Sequence, residues 1–252
     1  VALAAPWIAP FDPIRTSWSL IRKAPSAAHW FGTDENGRDV LSRVIFGARA
    51  SLLAGVVSVL IAVAVGVPLG MLAGWAGGWT DAVISRITDA MLACPFLILA
   101  IALAAFLGPA LTNAMIAVGV SGIPLFARVT RGEVLAAKGY LLADSGDLLR
   151  AAEVFEKAVE SPLQPEKLAR VLLRFAYVRY LAGEMDSAMK LVGRVRDTAL
   201  GIADRNVAKR LEASCLNMSG VIEHFTTGSQ ESLDSIRKAA AIYEETRDTL
   251  SR

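Results

Sequence analysis

The chain has 252 residues, 54% of them hydrophobic, with 26 Lys/Arg against 24 Asp/Glu, two His and two Cys. Near-neutral charge with no basic stripe and no interleaved aromatics argues against nucleic acid as a partner. Two cysteines, neither near a second Cys or a His at ligand spacing, argue against a disulfide framework and a metal centre.

The composition is uneven along the chain. Residues 1–138 hold ten Lys/Arg and seven Asp/Glu, and residues 139–252 hold sixteen and seventeen. The apolar excess therefore belongs to the first part, and the second has the make-up of a soluble helical protein. The chain opens on Val1 with no basic stretch, so no signal peptide is evident. A start on Val rather than Met suggests missing upstream residues or an unusual start codon.

Residues 1–49 form an approach segment. Val1–Pro10 is apolar but too short to span a bilayer. Pro10, Pro13 and Pro25 predict extended, non-helical chain. Thr33 or Asp34 is expected to cap a short interfacial helix from about Glu35 to Ala48, with Val40, Leu41, Val44 and Ile45 on its apolar stripe. Trp30 and Phe31 are rings suited to a membrane interface. His29, Asp34, Glu35, Arg38 and Asp39 look at first like an acid–base or metal cluster. Their irregular spacing favours solvated charges and local ion pairs instead.

Residues 50–138 form the membrane block. Ala50–Thr80 and Ala90–Ala127 carry no charge, and only Asp81, Arg86 and Asp89 lie between them. A charge at the bilayer centre costs at least ~2.5–3.5 kcal/mol, which accounts for such avoidance. Three spans are predicted, at about 51–75, 84–107 and 109–127, the last two hinged at Gly108-Pro109. Pro68, Pro95 and Pro124 predict kinks. Gly66, Gly70 and Gly74 recur every four residues, which either seats a neighbouring helix or loosens the helix end. Asn113 and Ser121 either bridge helices or line a pathway. Arg128, Arg131 and Lys138 follow the last span, so the positive-inside rule predicts a cytoplasmic exit.

Residues 1–138 resemble the second permease subunit of ABC importers for dipeptides, oligopeptides and nickel. The likeness is carried by Pro6–Pro13, Phe31-Gly32-Thr33-Asp34, Gly37-Arg38-Asp39, Gly66-Val67-Pro68-Leu69-Gly70, Asp81, Arg86, Asp89, and Ala127-Arg128 with Arg131-Gly132-Glu133. The family signature residues are thus Gly32, Thr33, Asp34, Gly37, Arg38, Asp39, Arg128 and Arg131, in roles expected to be structural. The resemblance implies a multi-pass subunit of a bacterial-type inner membrane, with membrane lipid around it. It also implies a homologous permease, ATPase subunits and an external substrate-binding protein as partners. No catalytic residue, cofactor or metal would reside in this chain. The family's first span is expected before Pro6, so the resemblance is to a truncated permease. Its coupling loop and final spans are expected after the point, near Lys138, where the likeness stops.

From Gly139 onwards amphipathic helical periodicity takes over. Gly139, Gly146, Ala151, Phe155 and Ala158 sit at the spacing of a tetratricopeptide repeat. A second copy is readable at Ala176, Gly183 and Ala188, and a looser third at Gly220 and Thr227-Gly228. The offsets are 37 and 44 residues, longer than the ~34 of the standard unit. This part resembles tetratricopeptide-like arrays, which implies a peptide or protein partner on a concave face.

The expected fold is therefore all-α: a transmembrane helical segment, then a soluble antiparallel helical-repeat domain over 139–252. The expected function is part of the translocation path of a peptide or nickel importer, fused to a cytoplasmic interaction domain. The alternatives are a membrane-anchored scaffold without transport activity and a rearranged, chimeric chain.

Overall fold

The computed structural model describes residues 4–248. Among them regular structure is entirely helical apart from one isolated bridge between Thr33 and Asp39. The helices are α1 (Ala5–Ile8), α2 (Val40–Ala76), α3 (Gly78–Ala93), α4 (Phe96–Leu107), α5 (Leu111–Asp144), α6 (Leu148–Val159), α7 (Pro165–Leu181), α8 (Met185–Ala199), α9 (Arg205–Thr227) and α10 (Gln230–Asp248). The chain divides into two units, residues 1–64 with 91–123, and residues 65–90 with 124–252.

Helix α2 runs 37 residues without a break, through Pro68. The interfacial helix expected over Glu35–Ala48 is therefore the first part of α2, and it begins later, at Val40. Neither Thr33 nor Asp34 caps it. Asp39 does, accepting from the Ser42 N–H at 2.8 Å. The span expected at about 84–107 is divided, because the chain leaves helical geometry at Cys94-Pro95 between α3 and α4. Two helices, α2 and α5, are long and apolar enough to cross a membrane, and α3 with α4 makes a third if counted as one broken span.

In the first unit α2 meets α5 through small residues. A Cβ on Gly119 would lie 2.8 Å from Ile61 Cβ. Ser58 Oγ donates to the Met115 carbonyl at 2.9 Å. Ser121 Oγ instead bonds its own helix at Ala117, and Asn113 Nδ2 bonds the Leu107 and Gly108 carbonyls. The side chains expected to bridge helices thus close a turn and a helix carbonyl, and Ser58 does the bridging.

In the second unit the end of α2 packs on α5. A Cβ on Gly70 would fall on the Ala127 carbonyl, and one on Gly74 would sit 2.9 Å from Val134 Cβ. Gly70 and Gly74 of the ladder therefore seat a helix. Helix α5 passes Lys138–Tyr140 unbroken and meets α6 where Gly139 and Tyr140 face Phe155, after which α7 pairs with α8 and α9 with α10. Asp147 and Asp204 cap α6 and α9, and Pro165 opens α7. Phe155, Leu172, Val178 and Val195, all at most 1% exposed, are central to the buried core of these helices.

Candidate functional site

The fold gathers residues singled out in the sequence into two clusters. The first is a clasp over the start of α2. Gly37 holds φ +70°, and a Cβ there would strike the Ser17 carbonyl. Gly32 also holds φ +70°, beside the Lys23 carbonyl. Thr33 Oγ1 donates to the Leu20 carbonyl and accepts from the Lys23 N–H. Asp34 accepts from the N–H groups of Asn36 and Arg38, from Arg38 Nε at 2.8 Å, and from Arg43. Lost solvation works upward on its carboxyl, but the two N–H donors and the Arg38 guanidinium prevail and lower it to about 2.

Asp39 is 3% exposed, so it is no solvated charge. It accepts from the Ser42 N–H and hydroxyl at 2.8 and 2.7 Å, and its other oxygen meets His29 Nδ1 at 2.9 Å. Burial pushes its carboxyl up, and the Ser42 N–H and His29 outweigh that push and hold it below the usual range. Phe11 lies against the His29 ring at 4.6 Å between centroids, and its N–H donates to Ser42 Oγ. The cluster is a lock between residues 11–39 and α2. No group of three or more His, Cys, Asp or Glu among the described residues is placed to hold a metal.

The second cluster lies where α3 and α5 meet. Arg131 Nε and Nη2 reach the two oxygens of Asp81 at 2.5 and 2.8 Å, a bidentate fork. Asp81 is 5% exposed and also accepts from Ser85 Oγ. Arg131 Nη1 meets Ser161 Oγ at 3.4 Å, at the turn after α6. One turn away, Arg128 pairs with Asp89 at 2.5 Å on an open face. Ser85, Asp89, Arg128, Arg131 and Ser161 border a cleft of about 300 Å³ with Thr88 and Glu160. Lys138 Nζ donates to the Trp75 carbonyl at 2.9 Å, closing the end of α2. The arrangement offers paired charges and hydroxyls but no nucleophile beside a base, so it positions helices and makes no reaction site.

With that geometry in place, similarity to known proteins becomes informative. Residues 66–151 match the family described as the binding-protein-dependent transport system inner membrane component. That segment contains Asp81, Arg128 and Arg131, and it extends past Lys138. Over 136 residues the chain is 50% identical to a probable D,D-dipeptide transport system permease protein of Escherichia coli, covering 54% of this chain and 46% of the relative. It is 44% identical over 135 residues to a dipeptide transport system permease protein of Alkalihalophilus pseudofirmus, covering 54% and 44%. A glutathione transport system permease protein of Shigella flexneri is 46% identical over 155 residues, covering 61% and 51%. The chain spans about half the length of these relatives. The similarities support the permease resemblance of the first part, and permeases are not enzymes. Together with the long apolar helices, they make this a multi-pass membrane protein.

The residues singled out in the second part lie at helix–helix contacts and turns. A Cβ on Gly139 would sit 2.6 Å from the Phe155 ring, and one on Gly220 would sit 2.8 Å from the Ser232 carbonyl. Ala151, Phe155, Ala158, Ala176 and Ala188 are fully buried. Gly146 and Gly183 hold φ of 84° and 81° at the turns that follow α5 and α7. The pairing of Asp81 with Arg131 escaped the sequence reading because the partners lie fifty residues apart. The one hint was that Asp81 is the first charge after a long uncharged run.

Proposed function

We propose that this chain supplies a permease segment of an ABC importer for peptides, forming part of the translocation path between its membrane helices. The observation that carries this reading is the match of residues 66–151 to an inner-membrane transport component, with D,D-dipeptide, dipeptide and glutathione permeases as relatives. Those names favour peptides over nickel as cargo. A homologous permease, ATPase subunits and an external substrate-binding protein complete the assembly. Arg128, Arg131 and Lys138, directly after the apolar run of α5, support a cytoplasmic place for everything beyond them.

The helices that follow form a tetratricopeptide-like cytoplasmic interaction domain. The close approaches at Gly139 and Gly220 and the burial of Ala176 support this, as do the glycine turns. A second reading, a membrane-anchored scaffold without transport, draws on the same feature, because the end of α5 and helices α6 to α9 share one buried core. Co-expression with cognate ATPase subunits and purification in detergent separates the two. Recovery of the ATPase with this chain is expected, with an intact permease pair as control. Absence of association sinks the transport reading, and capture of a defined partner by the α6–α10 region alone then favours the scaffold.

A further inference from the structure

Between α6 and α8 lies a cleft of about 420 Å³ whose two walls carry opposite charge. Glu156 and Glu160 of α6 line one wall, and Lys190 and Arg194 of α8 line the other. The floor comes from α7 through Phe175, 5% exposed, and Leu191 adds apolar surface beside it. The Arg179 guanidinium lies over the Phe175 ring, 5.1 Å from its centre, and donates to both carboxylate oxygens of Glu184 at 2.8 Å. Those two charges answer each other within the protein.

The four wall charges do not. Among the described residues Glu156, Glu160, Lys190 and Arg194 form no ion pair, either along their own helices or across the cleft. Each wall also sets like charges four residues apart, which repel on a helix surface. Mixed charge on an exposed helix face is ordinarily just solvated. The segregation here is different: acid on one helix, base on the other, and an aromatic floor between them. Glu160 borders the Arg131 cleft as well, so Glu156 is the carboxylate given to this site alone.

We propose that this cleft binds a short peptide in its zwitterionic form, with the terminal ammonium on the α6 wall and the terminal carboxylate on the α8 wall. Its volume falls within the ~300–1,000 Å³ of small-ligand sites. The separation of the walls selects the ligand. A free amino acid carries both charges on one carbon and cannot serve two helices whose own charges do not reach each other. Two extended residues span up to about 7 Å, which sets the termini apart. Charge-assisted hydrogen bonds hold the two ends, and an apolar side chain rests on Phe175. The site stands independently of transport and of any protein partner for these helices.

Isothermal titration of the full chain in detergent with alanyl-phenylalanine tests this. Saturable binding is expected. The N-acetylated and the C-amidated dipeptide each lack one terminal charge and are expected to bind about tenfold more weakly, and phenylalanine alone to give no saturable heat. Glu156→Gln should weaken the free dipeptide about tenfold and leave the acetylated form unchanged. Lys190→Gln with Arg194→Gln should weaken the free dipeptide in the same way and leave the amide unchanged. All three side chains belong to exposed residues, so these variants leave the core intact. Absence of saturable heat with the free dipeptide overturns the proposal, and so does equal affinity for the blocked forms. A variant that weakens every ligand alike overturns the assignment of termini to walls. Phenylalanine binding as tightly as the dipeptide overturns the peptide as occupant.

Discussion

Arg131 of α5 grips Asp81 of α3 with two nitrogens, at 2.5 and 2.8 Å, across fifty residues of sequence. Asp81 is almost fully buried and the Arg131 side chain one-fifth exposed. Removing one partner leaves the other's charge desolvated without compensation, which costs far more than the pair contributes. Asp81→Leu or Arg131→Met alone is expected to destabilise the second unit by about 2–3 kcal/mol, discounted for the partial exposure of Arg131. Replacing both, as Asp81→Leu with Arg131→Met, is expected to cost less than either single change. Thermal unfolding in detergent across the four proteins checks this. Simple additivity of the single effects would show that the two side chains are not coupled.

Gly139 should resist substitution because of Phe155, not because of its own backbone. A Cβ there would lie 2.6 Å from the ring. Gly139→Ala gains about 1 kcal/mol in helix propensity and loses about 1–3 kcal/mol to overpacking, so net destabilisation is expected. Gly139→Ala with Phe155→Leu should recover part of the loss in the same melting measurement. If Gly139→Ala alone stabilises the protein, the close approach of α5 and α6 is looser than described.

Cys215 is 1% exposed, and burial raises its thiol to about 11. The thiolate is the reactive form, so Cys215 is expected to escape iodoacetamide at pH 8 in the folded protein and to react after denaturation. Peptide mass spectrometry reads the outcome. Rapid alkylation under native conditions would mean that the contact between α8 and α9 opens readily.

The clasp should tolerate acid. Asp34 titrates at about 2 in the folded chain, and an unfolded Asp near 3.9. Its ionised form therefore favours the clasp at every pH above about 4, and that support is lost as pH falls from there towards 2. Amide hydrogen exchange over residues 32–43, followed as pH is lowered and corrected for intrinsic rates, should show protection kept at pH 4 and declining below it. Asp34→Asn should remove the pH-dependent part.

Much of the helical layout was legible because it rests on local patterning: uncharged runs for α2 and α5, and amphipathic periodicity for α6 to α10. The start of α2 was misplaced because Thr33, Asp34 and Asp39 are all competent caps. The choice fell to Asp39 through long-range partners, Phe11 and His29, that no local window contains. Asp39 and His29 looked solvated for the same reason. The break at Cys94-Pro95 was anticipated as a kink, yet Pro68 and Pro124 carry the same residue type inside unbroken helices. The surroundings, not proline alone, decide whether a helix ends. Residues such as Asp39 and Arg131 stand out in the sequence by their pattern, but the pinning of the entry segment and the joining of α3 to α5 emerge only from contacts distant in sequence.

Within the second unit α5 continues unbroken to Asp144, and its last turns pack with α6 and α7. From Ala127 to Asp144 it extends about 25 Å at 1.5 Å per residue. A change of about 10° in the tilt of such a rod sweeps its far end through about 4 Å. With no break in the helix at Lys138, the turn of α5 that holds Asp81 and the turns that hold α6 are geared together. Shortening or lengthening α5 by one residue there would also turn the whole array by about 100° about the rod.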